Sequence, residues 1–419
     1  MSDLAIAPAL VAGQGRPWRL LLSLSAVFFV LLALYCAVLS VLLPNQIEAL
    51  DHAHKAGNLA MVFAVTSVFS TLTTPIAGAL SDRTSGRFGR RTPWIVLGSV
   101  VGGICLFLTA RMTSLWPITM VWVGATVALN SMQAAVTTIV ADRFPAEQRG
   151  TASGFVGAGM TAGGTAGIVL GGYLAYDMTL AYGVLAAGIV LVCLAFILLN
   201  PEPPVSAAPP EPFRPGAFLA GFWVSPREHP DFAWAFLGRF TIYMGYQGIV
   251  TYLLYILQDY IHLSVSASNR TIATLSTITF VALVLSAFGS GFASDRVGRR
   301  KPFVFLSSII MGLALIVPLV MASVPGMMGY AALMGIGYGA FMSVDMALMT
   351  QVLPQGRGEA TGKDLGILTT AVNIPQILSP VWSAWLLHVT GGDYRALFVS
   401  AIAFVFAGSC FVLPIRSVH

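Results

Sequence analysis

Twelve apolar blocks follow one another along this chain, at 19–43, 57–81, 93–110, 115–141, 151–174, 181–199, 233–257, 270–293, 302–322, 327–349, 362–387 and 394–413. A helix rises about 1.5 Å per residue, so about 20 apolar residues cross a hydrocarbon core of about 30 Å. Block length therefore predicts twelve membrane-spanning helices, and an even number returns both termini to one side. Composition excludes a soluble alternative. Only 9% of the 419 residues are charged, whereas a soluble domain carries about 25%. The first apolar run is long enough to span and no small-residue cleavage site follows it, so it reads as the first helix rather than a removed leader.

The net charge of +5 reports orientation rather than a polyanionic partner. Of the 22 Lys and Arg residues, seventeen fall in the termini and in connections on one side of the predicted spans. Lys55, Arg111, Arg270 and Arg395 fall on the other, and Arg239 lies within a span. Basic residues gather on the cytoplasmic side of membrane proteins, so both termini are expected there. No nucleic-acid partner is implied. The four cysteines, Cys36, Cys105, Cys193 and Cys410, sit inside apolar blocks, where they offer neither a disulfide framework nor a metal spacing.

The longest connection, 200–232, opens with PEPPVSAAPPEP, a proline-rich composition that favours an extended tether. It separates an expected first bundle, 1–199, from a second, 233–419. The two halves repeat. SDRTSGRFGRRTPW (81–94) joins spans 2 and 3, and SDRVGRRKPF (294–303) joins spans 8 and 9. The Gly-Arg-Arg groups start at 89 and 298, while RGTASG (149–154) and RGEATG (357–362) follow spans 4 and 10. Landmarks offset by 209 and 208 residues define a duplicated six-helix unit. Such parallel repeats suit alternating access by rocking of one bundle against the other.

The duplicated Asp-Arg…Gly-Arg-Arg loops resemble the signature of the major facilitator superfamily, across both halves. That resemblance implies two pseudo-symmetric six-helix bundles and assigns gating to Asp82, Arg83, Arg90, Arg91, Asp295, Arg296, Arg299 and Arg300. Gly78 and Gly291 would let helices approach closely. Asp82 and Asp295 would face the positive N-terminal ends of helices in the opposite half. The plainer reading is that the arginines enforce topology and bind lipid phosphates. Within the superfamily, SDRTSGRFGRRTPWI, NSMQAAVTTIVAD (130–142) and LGILTTAVNIPQ (365–376) resemble the sucrose–proton symporters and their glycoside, pentoside and hexuronide relatives. The resemblance implies a proton-carrying acid in span 4, but its position is Thr126, which cannot titrate.

Arg239 in span 7 and Asp345 in span 10 are the ionisable residues well inside spans. An unpaired charge there costs at least about 2.5–3.5 kcal/mol. Both lie within two turns of the same membrane side, so a pair is feasible. Asp345 is the candidate proton carrier, with Arg239 setting its proton affinity. A static ion pair, or pairing of Asp345 with Lys363, is the structural alternative.

Helical spacing gathers uncharged polar residues into stripes. Thr126, Asn130, Gln133 and Thr137 share a face of span 4, and Tyr243, Tyr246 and Gln247 continue the face of Arg239. Tyr35 in span 1, Tyr338 in span 10, and Asn373 and Gln376 in span 11 complete the candidate solute site. Amides and phenols suit a neutral, hydroxyl-rich ligand, though the same groups also bond helices together. Span 5 carries glycines at 159, 163, 167 and 171. Its run GGTAGIVLGG is similar to an antiporter motif of drug exporters, with Ile168 where proline is expected. GEATGKD (358–364) is no phosphate loop, because its glycines are too close and Asp364 replaces the Ser/Thr. No cofactor, metal site or catalytic constellation is expected, so the chain is not read as an enzyme.

These residues predict a secondary transporter of the bacterial inner membrane, working as a monomer on a small polar solute such as a sugar or glycoside, with protons as co-substrate. A proton-coupled exporter of drugs or metabolites on the same fold is the first alternative. A non-transporting solute sensor is the second, though the short tether and short tails argue against an appended signalling domain.

Overall fold

The structure, a computed structural model, describes residues 17–204, 230–297, 301–351 and 361–415. Inside the helices, the side chains at 75, 79, 141, 146, 147, 291–295, 297, 301, 346–351 and 361–370 lie outside that description. The expectations for Asp295, Arg299, Arg300 and Lys363, and for most of the tether, fall on undescribed positions.

The chain is all-helical. Helix α1 runs Pro17–Ala37, passes through a π turn at Val38–Leu42 and finishes as Leu43–Leu50. The π turn precedes Pro44, which has no N–H to continue the ladder. The Leu43 N–H reaches back to the Val38 carbonyl instead, widening the helix by one residue where the proline requires it. Next come α2 (Lys55–Arg83), α3 (Thr92–Thr109), α4 (Leu115–Arg143), α5 (Ala146–Leu174) and α6 (Met178–Leu199). The second half holds α7 (Pro230–Tyr255, continued by a π turn Ile256–Tyr260), α8 (Val265–Val297) and α9 (Lys301–Val320). It ends with α10 (Val324–Gln351), α11 (Thr361–Val389) and α12 (Tyr394–Val412). Eleven of these spans meet the length and hydropathy of a membrane crossing among the described residues; α11, with 29 residues, is the twelfth long helix.

The duplication read from the loops reappears in packing. Helix α1 packs on α5 and α6, α2 on α4, and α3 on α4 and α6. Adding six to each label gives the second half: α7 on α11 and α12, α8 on α10, α9 on α10 and α12. The halves meet through α5 with α8, α2 with α11, and α1 with α7.

Small residues set the closest approaches. Gly159, Gly163, Gly167 and Gly171 of α5 lie against Ser25, Phe29, Ala33 and Ala37 of α1, both sets advancing by four. A Cβ at 163 or 167 would overlap the Phe29 or Ala33 carbonyl, so the glycines let two backbones touch. The expectation for Gly78 differs. A Cβ there meets nothing within 4 Å, so Gly78 makes no close approach in this conformation.

Candidate transport pathway and its gates

The intramembrane ions meet. Arg239 Nε of α7 lies 3.3 Å from Asp345 Oδ2 of α10, with side chains 9% and 5% exposed. Neither atom makes an aligned hydrogen bond among the described residues. Such a pair offsets the cost of burying either charge alone, while the imperfect geometry leaves part of that cost unpaid. One turn on, the Tyr243 ring centroid lies 5.9 Å from the guanidinium carbon. Tyr338 OH donates to Tyr243 OH at 3.2 Å, and Tyr243 OH donates to Met342 Sδ at 3.1 Å. The Tyr246 and Tyr338 rings stack at 4.3 Å, 6° from parallel. Gln247 turns along its own helix to Thr251 Oγ1, 3.3 Å away.

The first half gathers its own polar chain. Tyr35 OH donates to Asn130 Oδ1 at 2.9 Å, and Asn130 Nδ2 donates to Ser70 Oγ at 2.6 Å, joining α1, α4 and α2. Gln133 is half-buried, and Thr137 is exposed with its hydroxyl bonded to the Gln133 carbonyl. Asn373 and Gln376 of α11 are exposed. A groove of about 390 Å³ opens beside Thr137, lined also by Phe28, Val140, Arg149, Val156 and Met160. A larger groove of about 720 Å³ follows α8 from Thr277 to Ser290; it is apolar and contains none of the candidate solute residues.

At the Lys55 end the two halves are latched by groups that sequence reasoning assigned no gating role. Lys55, 7% exposed, donates to Glu48 Oε1 in its own half and to Asp259 Oδ1 in the other, each at 2.8 Å. Its ammonium lies 4.7 Å over the Tyr255 ring, a favourable cation–π placement. Tyr394 OH donates to Asp259 Oδ2 at 2.7 Å. Four more bonds cross between the halves here among the described residues: Lys55 Nζ to Gln258 Oε1, Tyr252 OH to the Ala56 carbonyl, Tyr255 OH to the Pro44 carbonyl, and Asn45 Nδ2 to Asn269 Oδ1. Lys55 registered in the sequence only as a residue of the less basic side.

The first copy of the repeated loop is held by contacts within its own half. Gly89 takes φ 81° with Glu202 packed where a Cβ would stand, which demands glycine there. Arg91, 6% exposed, turns inward to Asp82 Oδ1 at 2.7 Å, Asp142 Oδ2 at 3.0 Å and Ser81 Oγ at 2.8 Å. Glu202 Oε2 accepts from the Arg91 and Thr92 amides at 2.9 and 3.0 Å, capping α3 through a carboxylate remote in sequence. Asp82 therefore pairs within its own half here, and its side chain is still 60% exposed. Arg83, Arg90 and Arg296 are exposed at helix ends and loop. Among the described residues no group of His, Cys, Asp and Glu is placed to hold a metal.

Two matched helical bundles, latched at the Lys55 end and each carrying a polar cluster, define a polytopic helical membrane protein. The chain belongs to the Major Facilitator Superfamily, whose family profile matches residues 23–269 and 236–418. It is 24% identical over 375 residues to the multidrug resistance protein MdtG of Serratia proteamaculans, covering 87% of this chain and 86% of that one. It is 29% identical over 216 residues to the fujikurins efflux protein of Gibberella fujikuroi, covering 49% of this chain but only 43% of the relative. Among solved structures, the nucleoside transporter NupG superposes with a TM-score of 0.73 at 13% identity, covering 94% of this chain and 99% of that one.

Proposed function

We propose that this chain is a proton-coupled carrier of a small, uncharged, hydroxyl-rich solute, a sugar or glycoside, and that it works as a monomer by alternating access. The bundles are 1–199 and 233–419, tethered by 200–232. With the basic side cytoplasmic, the latched Lys55 end faces outward, and the conformation is closed to the outside. The observation that carries the coupling is the Arg239–Asp345 pair, buried beside Tyr243 and Tyr338. Protonating Asp345 releases Arg239 from its counterion and changes the net charge of the pair from zero to +1. A ligand or proton shifts the two-state balance only by its difference in affinity for the two states, and this pair supplies such a difference. The amides and phenols of Asn130, Gln133, Gln247, Tyr35 and Tyr246 favour a neutral hydrogen-bonding solute over an ion.

Counterflow in proteoliposomes with labelled D-glucose, D-xylose, sucrose and lactose tests the solute class. Exchange of at least one sugar is expected, with uphill accumulation under an inward proton gradient. Asp345→Asn should keep exchange and lose accumulation. Unchanged accumulation and pH dependence in that variant would remove Asp345 from the coupling role. A second reading, proton-driven efflux of drugs or metabolites, is supported by the likeness to MdtG along 86% of its length. It takes over if every sugar is silent while inverted vesicles accumulate a lipophilic cation such as ethidium.

A further inference from the structure

Five buried polar atoms of the first half have no hydrogen-bond partner among the described residues; Asn45 Oδ1 and Glu48 Oε2 belong to the latch, and Thr66 Oγ1, Trp122 Nε1 and Thr126 Oγ1 lie deeper along α2 and α4. The residues of these last three are 7%, 1% and 4% exposed. Helix register sets the last three at neighbouring levels of α2 and α4. Ser70 of α2 is bonded to Asn130 of α4, and both helices run away from the Lys55 end. Thr66 stands one turn before Ser70, and Thr126 one turn before Asn130, each about 6 Å closer to the latched end. Trp122 is a further turn along the same face of α4, and its ring meets the Tyr35 ring edge-on at 6.4 Å. Tyr35 in turn bonds Asn130. The orphan groups thus lie directly behind the Tyr35–Asn130–Ser70 chain, on the side away from the Thr137 groove.

Buried polar groups are normally satisfied, and a set left unmet is a cost that something else must offset. The chemistry of this set is specific. The indole N–H only donates, while each threonine hydroxyl both donates and accepts. None of the three carries charge, nor do Tyr35, Ser70 and Asn130 in front of them. A hydroxyl oxygen accepting from Trp122 and donating to a threonine would complete them, whereas an ion would find no counter-charge among these six residues.

We propose that Thr66, Trp122 and Thr126 form a neutral solute subsite in the first half, reached past Tyr35 and Asn130, that receives a hydroxyl group of the transported molecule as the carrier occludes. The proposal rests on the carrier reading above and assigns position 126 to solute recognition rather than to proton transfer. The subsite and the Arg239–Asp345 pair divide the work: the first half recognises the solute and the second handles charge.

The test uses the full chain with the near-isosteric variants Thr66→Val and Thr126→Val, each read in two ways, and Trp122→Phe, read in counterflow alone because the lost part of a buried ring lowers melting by itself. In counterflow with whichever of the four labelled sugars the parent exchanges, half-saturation should rise about five- to tenfold for each, the loss of one neutral hydrogen bond. The maximal exchange rate should be retained. In ligand-free melting, removing an unmet polar group should leave the midpoint unchanged or raise it. Sugar exchange with parental half-saturation in all three variants overturns the subsite and leaves the carrier reading standing. If the parent exchanges no sugar, the carrier reading fails by itself. The melting arm then decides the subsite: unchanged or raised midpoints support an unfilled neutral pocket. Lowered midpoints mean that these groups are bonded to structural water, and overturn it.

Discussion

Asp259→Asn should bias the carrier toward opening at its latched end. Lys55 contacts Glu48 within its own half and Asp259 across the interface, both at 2.8 Å. Opening this end separates Lys55 from Asp259 but not from Glu48, so only the cross-half contact is specific to the closed state. The amide at 259 keeps a hydrogen-bonding group near Tyr394 OH and removes the charge. A charged hydrogen bond contributes about 1.5–3 kcal/mol net. Asp259 is 31% exposed, and solvent screening at that exposure reduces the figure to about 1–1.5 kcal/mol. At about 1.4 kcal/mol per factor of ten, the population open at the Lys55 end should rise about five- to twelvefold. The bonds from Tyr252, Tyr255 and Asn45 remain, so the closed state is weakened and not abolished. Spin labels at Ala53→Cys and Ser264→Cys, both exposed beside the latch, report the distance across it. The background needs the four native cysteines replaced. A longer distance component should grow in the variant. A distance distribution identical to the parent's would refute the assignment of this pair as a latch.

Arg239→Met or Asp345→Leu alone strands a buried charge and should lower stability by about 3–5 kcal/mol, whereas the double variant recovers most of it; melting in detergent reads all three, and a double variant as unstable as the singles would show that the two do not act as a pair. Gly167→Ala should drive α5 off α1 and cost expression of folded protein, while Gly157→Ala, with nothing within 4 Å of the added Cβ, should behave as the parent in size-exclusion profiles. Glu202→Ala removes the acceptor for the first amides of α3 and should cost about 1 kcal/mol, with Glu202→Gln losing less; equal melting of all three chains would remove the cap from the account.

The spans and the duplication were legible because they are local: apolar length marks each helix, and two loop landmarks at one offset mark the repeat. The meeting of Arg239 and Asp345 was legible for an energetic reason. Two lone charges at similar depth in a membrane have strong cause to find each other. The latch was not legible. Lys55 and Asp259 are 204 residues apart, and each sits at a span end, where a charge needs no partner. Nothing local distinguishes a topological lysine from one buried against a carboxylate of the other half. Arg91 illustrates the converse. Its motif was read as a contact between halves, yet its fork is spent on Asp82, Asp142 and Ser81 inside one half. A motif names the groups that will pair, and the fold decides which of several acids they reach. The unmet atoms of Thr66, Trp122 and Thr126 had no sequence signal, since an orphan group is defined by its surroundings.

Among the described residues the two ends of the molecule show unlike contacts, and this bears on how a transport cycle could turn. An alternating carrier needs both end states within a few kcal/mol of each other, so that the solute and the coupling ion can tip the balance. At the Lys55 end the Lys55–Asp259 ion pair, the Lys55 to Gln258 bond and the bonds from Tyr252, Tyr255 and Asn45 cross the interface among the described residues, and all of them must break for that end to open. At the Arg91 end the contacts of Arg91 itself, to Asp82, Asp142 and Ser81, stay within one bundle. Arg91 holds Asp82 by one oxygen while the carboxylate remains largely exposed, an acid oriented in advance for a second partner. The gating role that the sequence resemblance implies for Asp82 would bring a helix N-terminus or cation of the other half to it, with its desolvation partly met beforehand by Arg91. Replacing Arg91 should for that reason disturb both conformations through the fold of the first half, whereas replacing Asp259 should disturb one.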